Sequence, residues 1–198
     1  MKHLAPSQIN DLIAAAKSDR DRLLFHLCYE HGLRISECLS LTKAHVARGF
    51  LTIRGKKRGK RSEERLSPAT AELWAALTAT ILPHTRVFPF SRQWAAVLFT
   101  RTCERAHIER QPRQGIHSLR HSIAHHLLDS GAPLPVVQKQ LRHRSIGSTG
   151  VYLEADAADV DQWRARALCA ANPVAITGGN QHGNTERDRI ASGTTIVE

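Results

Sequence analysis

Apolar side chains recur at helical spacing along most of the chain. The clearest stripe comprises Ile116, Leu119, Ile123 and Leu127, which lie three or four residues apart and so share one face of a helix. Similar stripes and their capping residues predict helices over 8–17, 21–31, 36–41, 68–82, 91–107, 116–130, 134–141 and 156–171. The chain is therefore predicted to be mostly helical.

Serine, proline and glycine residues indicate where these helices begin and end. Ser7 is predicted to cap the first helix, and Ser67 followed by Pro68 is typical of an N-cap and a first helical residue. Gly32 and Gly131 stand just after predicted helices, where a residue in the left-handed conformation commonly ends a helix.

Two short segments have strand-like patterns, Phe50–Arg54 and Glu64–Ser67. Between them lies Gly55–Arg61, whose glycine, lysine and arginine content is typical of a hairpin loop. We therefore predict an α+β fold that is mostly α, with a small antiparallel β-sheet.

Charge narrows the choice of partner. The chain has 198 residues, with 28 lysines and arginines against 18 acidic residues and a formal net charge of +10. An excess of this size favours nucleic acid as the partner, with an anionic membrane surface as the alternative. The aromatic content of 5% argues against a single-strand binder built on stacked rings.

Local patterns disfavour several classes of protein. Residues 1–10 lack the apolar stretch of a secretory signal, and the longest apolar run, Trp94–Phe99, is too short to span a bilayer. The four cysteines form no C-x-x-C pair, which favours free thiols in a reducing cytosol over a disulfide frame. We therefore expect a cytoplasmic protein with no membrane partner.

The last part of the chain differs in composition. Residues 172–198 contain no aromatic side chain and many Gly, Asn, Ser and Thr residues, which predicts a flexible tail. Two arginines there face three acidic residues, so the basic excess lies in residues 1–171, which we predict to be one domain.

Two segments place arginine where a helical core does not require it. In the run Gly-Leu-Arg-Ile-Ser-Glu, Arg34 follows a predicted helix stop; the alternative is a surface arginine or one paired with Glu37. At the start of another helix, His117 and Arg120 share a face beside free backbone N–H groups, which bind phosphate readily. A solvated basic turn is the alternative there.

A tyrosine late in the chain is a candidate nucleophile. Tyr152 follows a stretch of Ser, Thr and Gly, which suggests an accessible position. A tyrosine hydroxyl can attack phosphorus and form a covalent intermediate. The alternative is a packed tyrosine with a hydrogen-bonded hydroxyl. Tyr29, the other tyrosine of the chain, lies inside the Leu-rich second helix and is predicted to belong to the core.

Histidines near the second segment raise the possibility of zinc. His117, His121 and His125 are spaced by four residues, with His126 beside the last. This run lacks the glutamate of an H-E-x-x-H motif and any cysteine partner. We therefore expect no metal site and assign His121 and His125 to packing or to support of the neighbouring residues.

Together these segments resemble the catalytic domain of the tyrosine recombinase (phage integrase) family over about Leu4–Trp163. The family's G-L-R-x-S-E motif matches at 32–37 and its H-x-L-R-H motif at 117–121. Its third motif, L-G-H, is followed nine residues later by the tyrosine, as His143 is followed by Tyr152. One departure is Arg142, which stands where the family usually has glycine.

The resemblance implies a catalytic set and its roles. The set comprises Arg34, Lys60, His117, Arg120, His143 and Tyr152. The arginines and histidines would stabilise charge on phosphate oxygens, and one histidine would accept the tyrosine proton. Lys60, eight residues before Pro68, would protonate the leaving 5′-hydroxyl; Lys57 and Lys56 remain alternatives. No cofactor is implied.

The same resemblance implies a DNA-cutting and rejoining enzyme, a site-specific recombinase that acts through a 3′-phosphotyrosyl intermediate. Residues expected to contact DNA are Lys56, Lys57, Arg58, Arg61, Arg142 and Arg144. Two alternatives are a catalytically silent DNA-binding regulator on the same fold and a type IB-like topoisomerase.

The resemblance also implies partners and organisation. We expect double-stranded DNA with inverted half-sites, a homo-tetramer on that DNA, accessory DNA-bending proteins and a location on the nucleoid. The first motif begins close to the N-terminus, so we expect no N-terminal core-binding domain, as in the invertases that switch fimbrial promoters. The helix at 156–171 is the candidate for docking on a neighbouring subunit.

Overall fold

The computed structural model describes residues 3–54 and 61–142, which all lie in one compact unit. The helices are α1 (Pro6–Ala14), α2 (Asp19–Glu30), α3 (Ile35–Cys38), α4 (Pro68–Thr78), α5 (Arg92–Arg105), α6 (Ser118–Asp129) and α7 (Leu134–Leu141). The strands are β1 (Val46–Ala47), β2 (Phe50–Arg54) and β3 (Arg61–Arg65). The predicted helix at 156–171 and the tail at 172–198 lie outside the described residues.

Capping explains where several helices begin. The predicted start of α4 is confirmed, since Pro68 is its first residue and the Ser67 hydroxyl accepts the Thr70 N–H at 3.3 Å. The predicted Ser7 cap is wrong. Because Pro6 fills the first helical position, Ala5 precedes the helix, and the Gln8 side chain accepts the Ala5 N–H at 2.9 Å. Helix α7 has the predicted bounds at both ends.

Helix α2 leads directly into the first arginine motif. It begins two residues before the predicted start, because Ser18 Oγ accepts the Asp21 N–H at 3.1 Å. It ends at Glu30, and Gly32 follows with φ +54°, which confirms the predicted glycine stop. The chain therefore turns sharply just before Arg34.

The sheet is antiparallel, with strand order β1-β2-β3. Leu51 and Ile53 of β2 are buried, and Leu51 lies opposite Glu64 of β3. The second predicted strand, at 64–67, was placed too late: β3 begins at Arg61, which pairs with Arg54, and ends at Arg65, and Leu66 is buried beyond it. This register sets Glu64 on the half-buried side of β3.

Two apolar clusters hold the helices in place. The larger one contains the α2 stripe and Phe99 of α5, whose ring meets Phe25 edge-on at 6.4 Å. The smaller one joins α6 and α7 through Ala124, Val137 and Leu141. Helix α2 packs on both α4 and α6. The end of α2 therefore lies beside the start of α6 and the end of α7.

The described cysteines are free and buried: Cys28, Cys38 and Cys103. The Sγ atoms of Cys28 and Cys38 lie 3.5 Å apart. Within residues 3–54 and 61–142, every helix is too short or too polar to cross a lipid bilayer.

Candidate active site

Arg120 joins three distant segments of the chain. It lies on the first turn of α6 and is only 2% exposed. One guanidinium nitrogen donates to the Gly32 carbonyl, 88 residues earlier, and the other donates to the Leu141 carbonyl at the end of α7. An arginine can make both bonds at once because its donors are held in a rigid plane. The guanidinium therefore fixes the ends of α2 and α7 against α6.

Glycine is required at position 32 for two reasons. Its φ of +54° lies in the left-handed region that side chains disfavour. A Cβ atom there would also lie 3.0 Å from Leu141 Cδ2 and 3.5 Å from Ile123 Cγ2. The G-L-R motif can therefore approach α6 and α7 closely only with a glycine at its head.

Arg34 lies at the start of α3 and pairs with Glu37. Its N–H donates to Glu37 Oε2 at 2.8 Å, and its Nη1 donates to Oε1 at 3.0 Å. The Glu37 side chain is 6% exposed, whereas that of Arg34 is 41% exposed. The pairing considered in the sequence analysis is therefore present. It engages one side-chain donor of Arg34, and a guanidinium has five, so a phosphate oxygen can approach from solvent.

His117 completes the cluster just before α6. Its pKa is lowered first by burial of the ring against the protein, then by the positive charges of Arg120 and Arg34, while Glu37 opposes these effects. The residue nevertheless keeps an exposed edge. A neutral imidazole beside two arginines can donate to a phosphate oxygen or accept a proton.

The other histidines of α6 follow the helix away from this cluster. The His121 ring meets that of His117 edge-on at 4.8 Å, and His3 stacks on His125 at 4.2 Å. Among the residues that the structure describes, no three His, Cys, Asp or Glu side chains are grouped as ligands for a metal ion.

Arg142 lies inside the protein, although sequence reasoning expected it to contact DNA. Its side chain is 11% exposed, and its Nη1 lies 2.6 Å from Glu64 Oε1. Its backbone is left-handed, with φ 52° and ψ 40°, and ends α7. This conformation explains why the family usually has glycine there. A contact to DNA stays a prediction, and it requires this ion pair to open.

Two residues of this network were missed by sequence reasoning. Glu64 accepts from Arg142 and from the Nδ1 of His31 at 2.9 Å, and His31 is itself buried. The sequence pattern predicted Glu64 to be the first residue of its strand, so it did not show whether the Glu64 side chain faces the protein or the solvent.

Only part of the expected site falls within the described residues. Arg61 is exposed and lies 3.5 Å from Glu63. The remaining predicted site residues lie outside: Lys56, Lys57, Arg58, Lys60, His143, Arg144 and Tyr152.

The described cluster suits a phosphodiester in the act of substitution. The Arg34 side chain is partly exposed, His117 is exposed, and the buried Arg120 adds its permanent positive charge beside the His117 ring. Donors placed in advance in this way stabilise the extra negative charge on the non-bridging oxygens in the transition state.

Comparison with known proteins places this geometry in a family. The sequence model of the phage integrase family matches residues 2–159. The chain is 31% identical to tyrosine recombinase XerA of Pyrococcus furiosus over 186 residues, which is 87% of this chain and 64% of that protein. It is 36% identical to XerD of Ralstonia nicotianae over 174 residues, or 76% and 55% of the two chains. The chain thus spans less than two thirds of the length of these relatives.

Solved structures show the same fold. The catalytic domain of bacteriophage HP1 integrase superposes with a TM-score of 0.64 at 25% identity, over 88% of this chain and 99% of that domain. A crystal structure of XerA recombinase superposes with a TM-score of 0.69 at 18% identity, over 84% and 65%. The predicted catalytic-domain fold and the resemblance seen in the motifs are confirmed: this chain belongs to the phage integrase family, together with the Xer tyrosine recombinases.

Proposed function

We propose that this protein is a site-specific DNA recombinase that cuts and rejoins DNA through a 3′-phosphotyrosyl intermediate. The observation that carries the proposal is the convergence of Arg34, His117 and Arg120, which the motifs predicted and the fold brings into one cluster. The roles of Lys60, His143 and Tyr152 rest on the motif match.

In the proposed reaction each bond that forms is matched by one that breaks, and the protons move between residues of this chain and the DNA, so the reaction requires no cofactor. The Tyr152 oxygen bonds to phosphorus while the bond from phosphorus to the 5′ oxygen breaks. One of His117 and His143 accepts the tyrosine proton, and Lys60, or else Lys57 or Lys56, protonates the departing oxygen. The reverse attack by the 5′-hydroxyl of a partner strand rejoins the DNA and releases the tyrosine.

The partner follows from charge and from the relatives. A net charge of +10 favours a polyanion. The solved XerH is described as bound to difH substrate, and the lambda integrase as a dimer bound to a core site. By analogy we propose inverted DNA half-sites, a homo-tetramer on the DNA, accessory DNA-bending proteins and a cytoplasmic location on the nucleoid.

The decisive experiment uses the two tyrosines of the chain. Nicked duplexes that tile the inverted repeats around the gene are incubated with the full chain in EDTA, and covalent protein–DNA adduct is measured on denaturing gels. We expect adduct from the wild type and from Tyr29→Phe, whose hydroxyl is bonded inside the protein. Tyr152→Phe should form none. Adduct from Tyr152→Phe would contradict the proposal.

The two alternatives give other results. Binding of all these duplexes without adduct would indicate a DNA-binding regulator. Relaxation of a supercoiled plasmid without strand exchange between two sites would indicate a topoisomerase.

A further inference from the structure

The side chain of Arg142 makes several contacts around the cluster formed by Arg34, His117 and Arg120. Nη1 donates to Glu64 Oε1 at 2.6 Å and to the His31 carbonyl at 3.0 Å. Nη2 donates to the Gly32 carbonyl at 3.2 Å and lies 3.5 Å from Glu37 Oε2. These contacts reach β3, the end of α2 and α3 at the same time.

Two of these contacts are shared with the proposed catalytic arginines. The Gly32 carbonyl receives Arg142 and also Arg120, so it lies between two guanidinium groups. The Glu37 carboxylate faces Arg142 and also Arg34. A shift of Arg142 would therefore move the partners of both arginines.

A third contact reaches the hairpin. Glu64 lies on β3, four residues after Lys60 in the sequence. Apart from Arg142, its ionisable partner is His31, whose Nδ1 lies 2.9 Å from Glu64 Oε2. Arg142 thus anchors the strand that follows residues 55–60, the segment that contains the candidate general acid in the sequence.

The backbone conformation at position 142 is unfavourable for arginine. Arg142 has a φ of 52°, in the left-handed region, which glycine adopts readily and which residues with a Cβ atom adopt only at a cost in free energy. Both terminal nitrogens of its guanidinium are enclosed and engaged by carbonyl and carboxylate oxygens, while the buried Nε has no partner among the described residues. The contacts of the side chain therefore offset an unfavourable backbone.

We infer that Arg142 is a positioning residue for the two catalytic arginines rather than a contact to DNA. The inference rests on the proposed function. Where the family usually has glycine, this chain has an arginine whose guanidinium holds the Gly32 carbonyl and the Glu37 carboxylate in position.

The test separates DNA binding from cleavage. Arg142→Gly keeps the left-handed backbone and removes the guanidinium. On a nicked duplex that gives adduct with the wild type, we expect the single-turnover rate at saturating DNA to fall about tenfold or more. The Kd and its dependence on salt should stay those of the wild type, because no phosphate contact is lost.

Two further variants sharpen this result. Arg61→Gln removes an exposed arginine of β3 and should weaken binding, with a salt slope lower by about one. Arg142→Lys keeps the charge without the planar fork, and its rate should lie between those of wild type and Arg142→Gly. An Arg142→Gly variant that cleaves at the wild-type rate, or that weakens binding as Arg61→Gln does, overturns the inference.

Stability measurements guard against simple misfolding. Arg48 has the same φ of 52° but is exposed, so Arg48→Gly gives the change in Tm from the backbone alone. In a double-mutant cycle, Glu64→Gln should lower Tm less in Arg142→Gly than in wild type. A wild type without adduct defeats the proposed function and this inference with it, whereas adduct from wild type with an unchanged Arg142→Gly rate defeats the inference alone.

Discussion

The hydroxyl of Tyr29 lies 2.9 Å from Nδ1 of His126. The other ring nitrogen, Nε2, lies 2.9 Å from the Leu4 carbonyl, which can only accept a hydrogen bond. Nε2 therefore carries the proton, and a neutral His126 accepts from Tyr29 at Nδ1. The hydroxyl of this tyrosine is thus committed to holding the N-terminal segment on α6, which leaves Tyr152 as the candidate nucleophile.

Tyr29→Phe should destabilise the protein by about 1 kcal/mol at neutral pH, because Nδ1 of a half-buried histidine loses its donor. Urea unfolding followed by circular dichroism measures the change. A second variant, His126→Phe, removes the acceptor, and adding Tyr29→Phe to it should cost much less than it does in wild type. Equal costs in the two backgrounds would contradict the assigned bond.

Gly32→Ala should destabilise the protein by roughly 2–4 kcal/mol, because backbone strain and crowding by Leu141 add together. Gly49→Ala is the matched control. Gly49 has φ +78° but nothing lies within 4 Å of a Cβ placed there, so it should cost about 1–2 kcal/mol. The difference between the two variants in urea unfolding isolates the crowding, and equal losses would mean that the close approach at Gly32 is relieved by small movements.

The parts of the site that depend on local spacing along the chain could be predicted from the sequence. The stop at Gly32 and the helix-facing pair of His117 and Arg120 follow from helix geometry alone. The contact between Arg142 and Glu64 could not be predicted, because it depends on the register of β3 against β2 and on a left-handed backbone at Arg142.

The elements that sequence reasoning missed have the same cause. Strand β1, Val46–Ala47, is too short to show alternation and exists because it pairs with β2. The end of α4 at Thr78 is likewise not marked by any breaker, since the apolar pattern continues to Leu82, which the structure leaves exposed.

Glu37→Gln should destabilise the protein by about 1–3 kcal/mol at neutral pH. Burial alone would raise the pKa of Glu37, but the Arg34 N–H, the charge of Arg142 and the side chain of Arg34 outweigh it and hold the pKa below its usual 4.5. A depressed carboxyl pKa stabilises the fold above the unfolded value, and this contribution is lost as pH falls through the folded pKa.

The difference between wild type and Glu37→Gln in free energy of unfolding should therefore shrink as pH falls below 4.5. Urea titrations across this range measure it. Glu63→Gln provides the control, because Glu63 is exposed and its surface ion pair with Arg61 should contribute little at any pH. A difference that stays constant with pH would show that Glu37 acts through shape rather than charge.

His121→Gln should make the protein less sensitive to acid. Burial of the ring and the positive charges of His117 and Arg120 lower the pKa of His121 to about 4. The unfolded chain binds this proton more readily than the folded one, so stability falls as pH drops from 6.5 to about 4. Since glutamine does not titrate, the free energy of unfolding of the variant should fall by on the order of 1 kcal/mol less than that of wild type over that interval, after allowance for solvent screening.

Urea unfolding at each pH measures this loss of stability. The control is His84→Gln, at an exposed position that follows α4 in the sequence, which should lose as much stability as wild type. The same loss in His121→Gln as in wild type would mean that other groups, His117 among them, carry the acid sensitivity of α6.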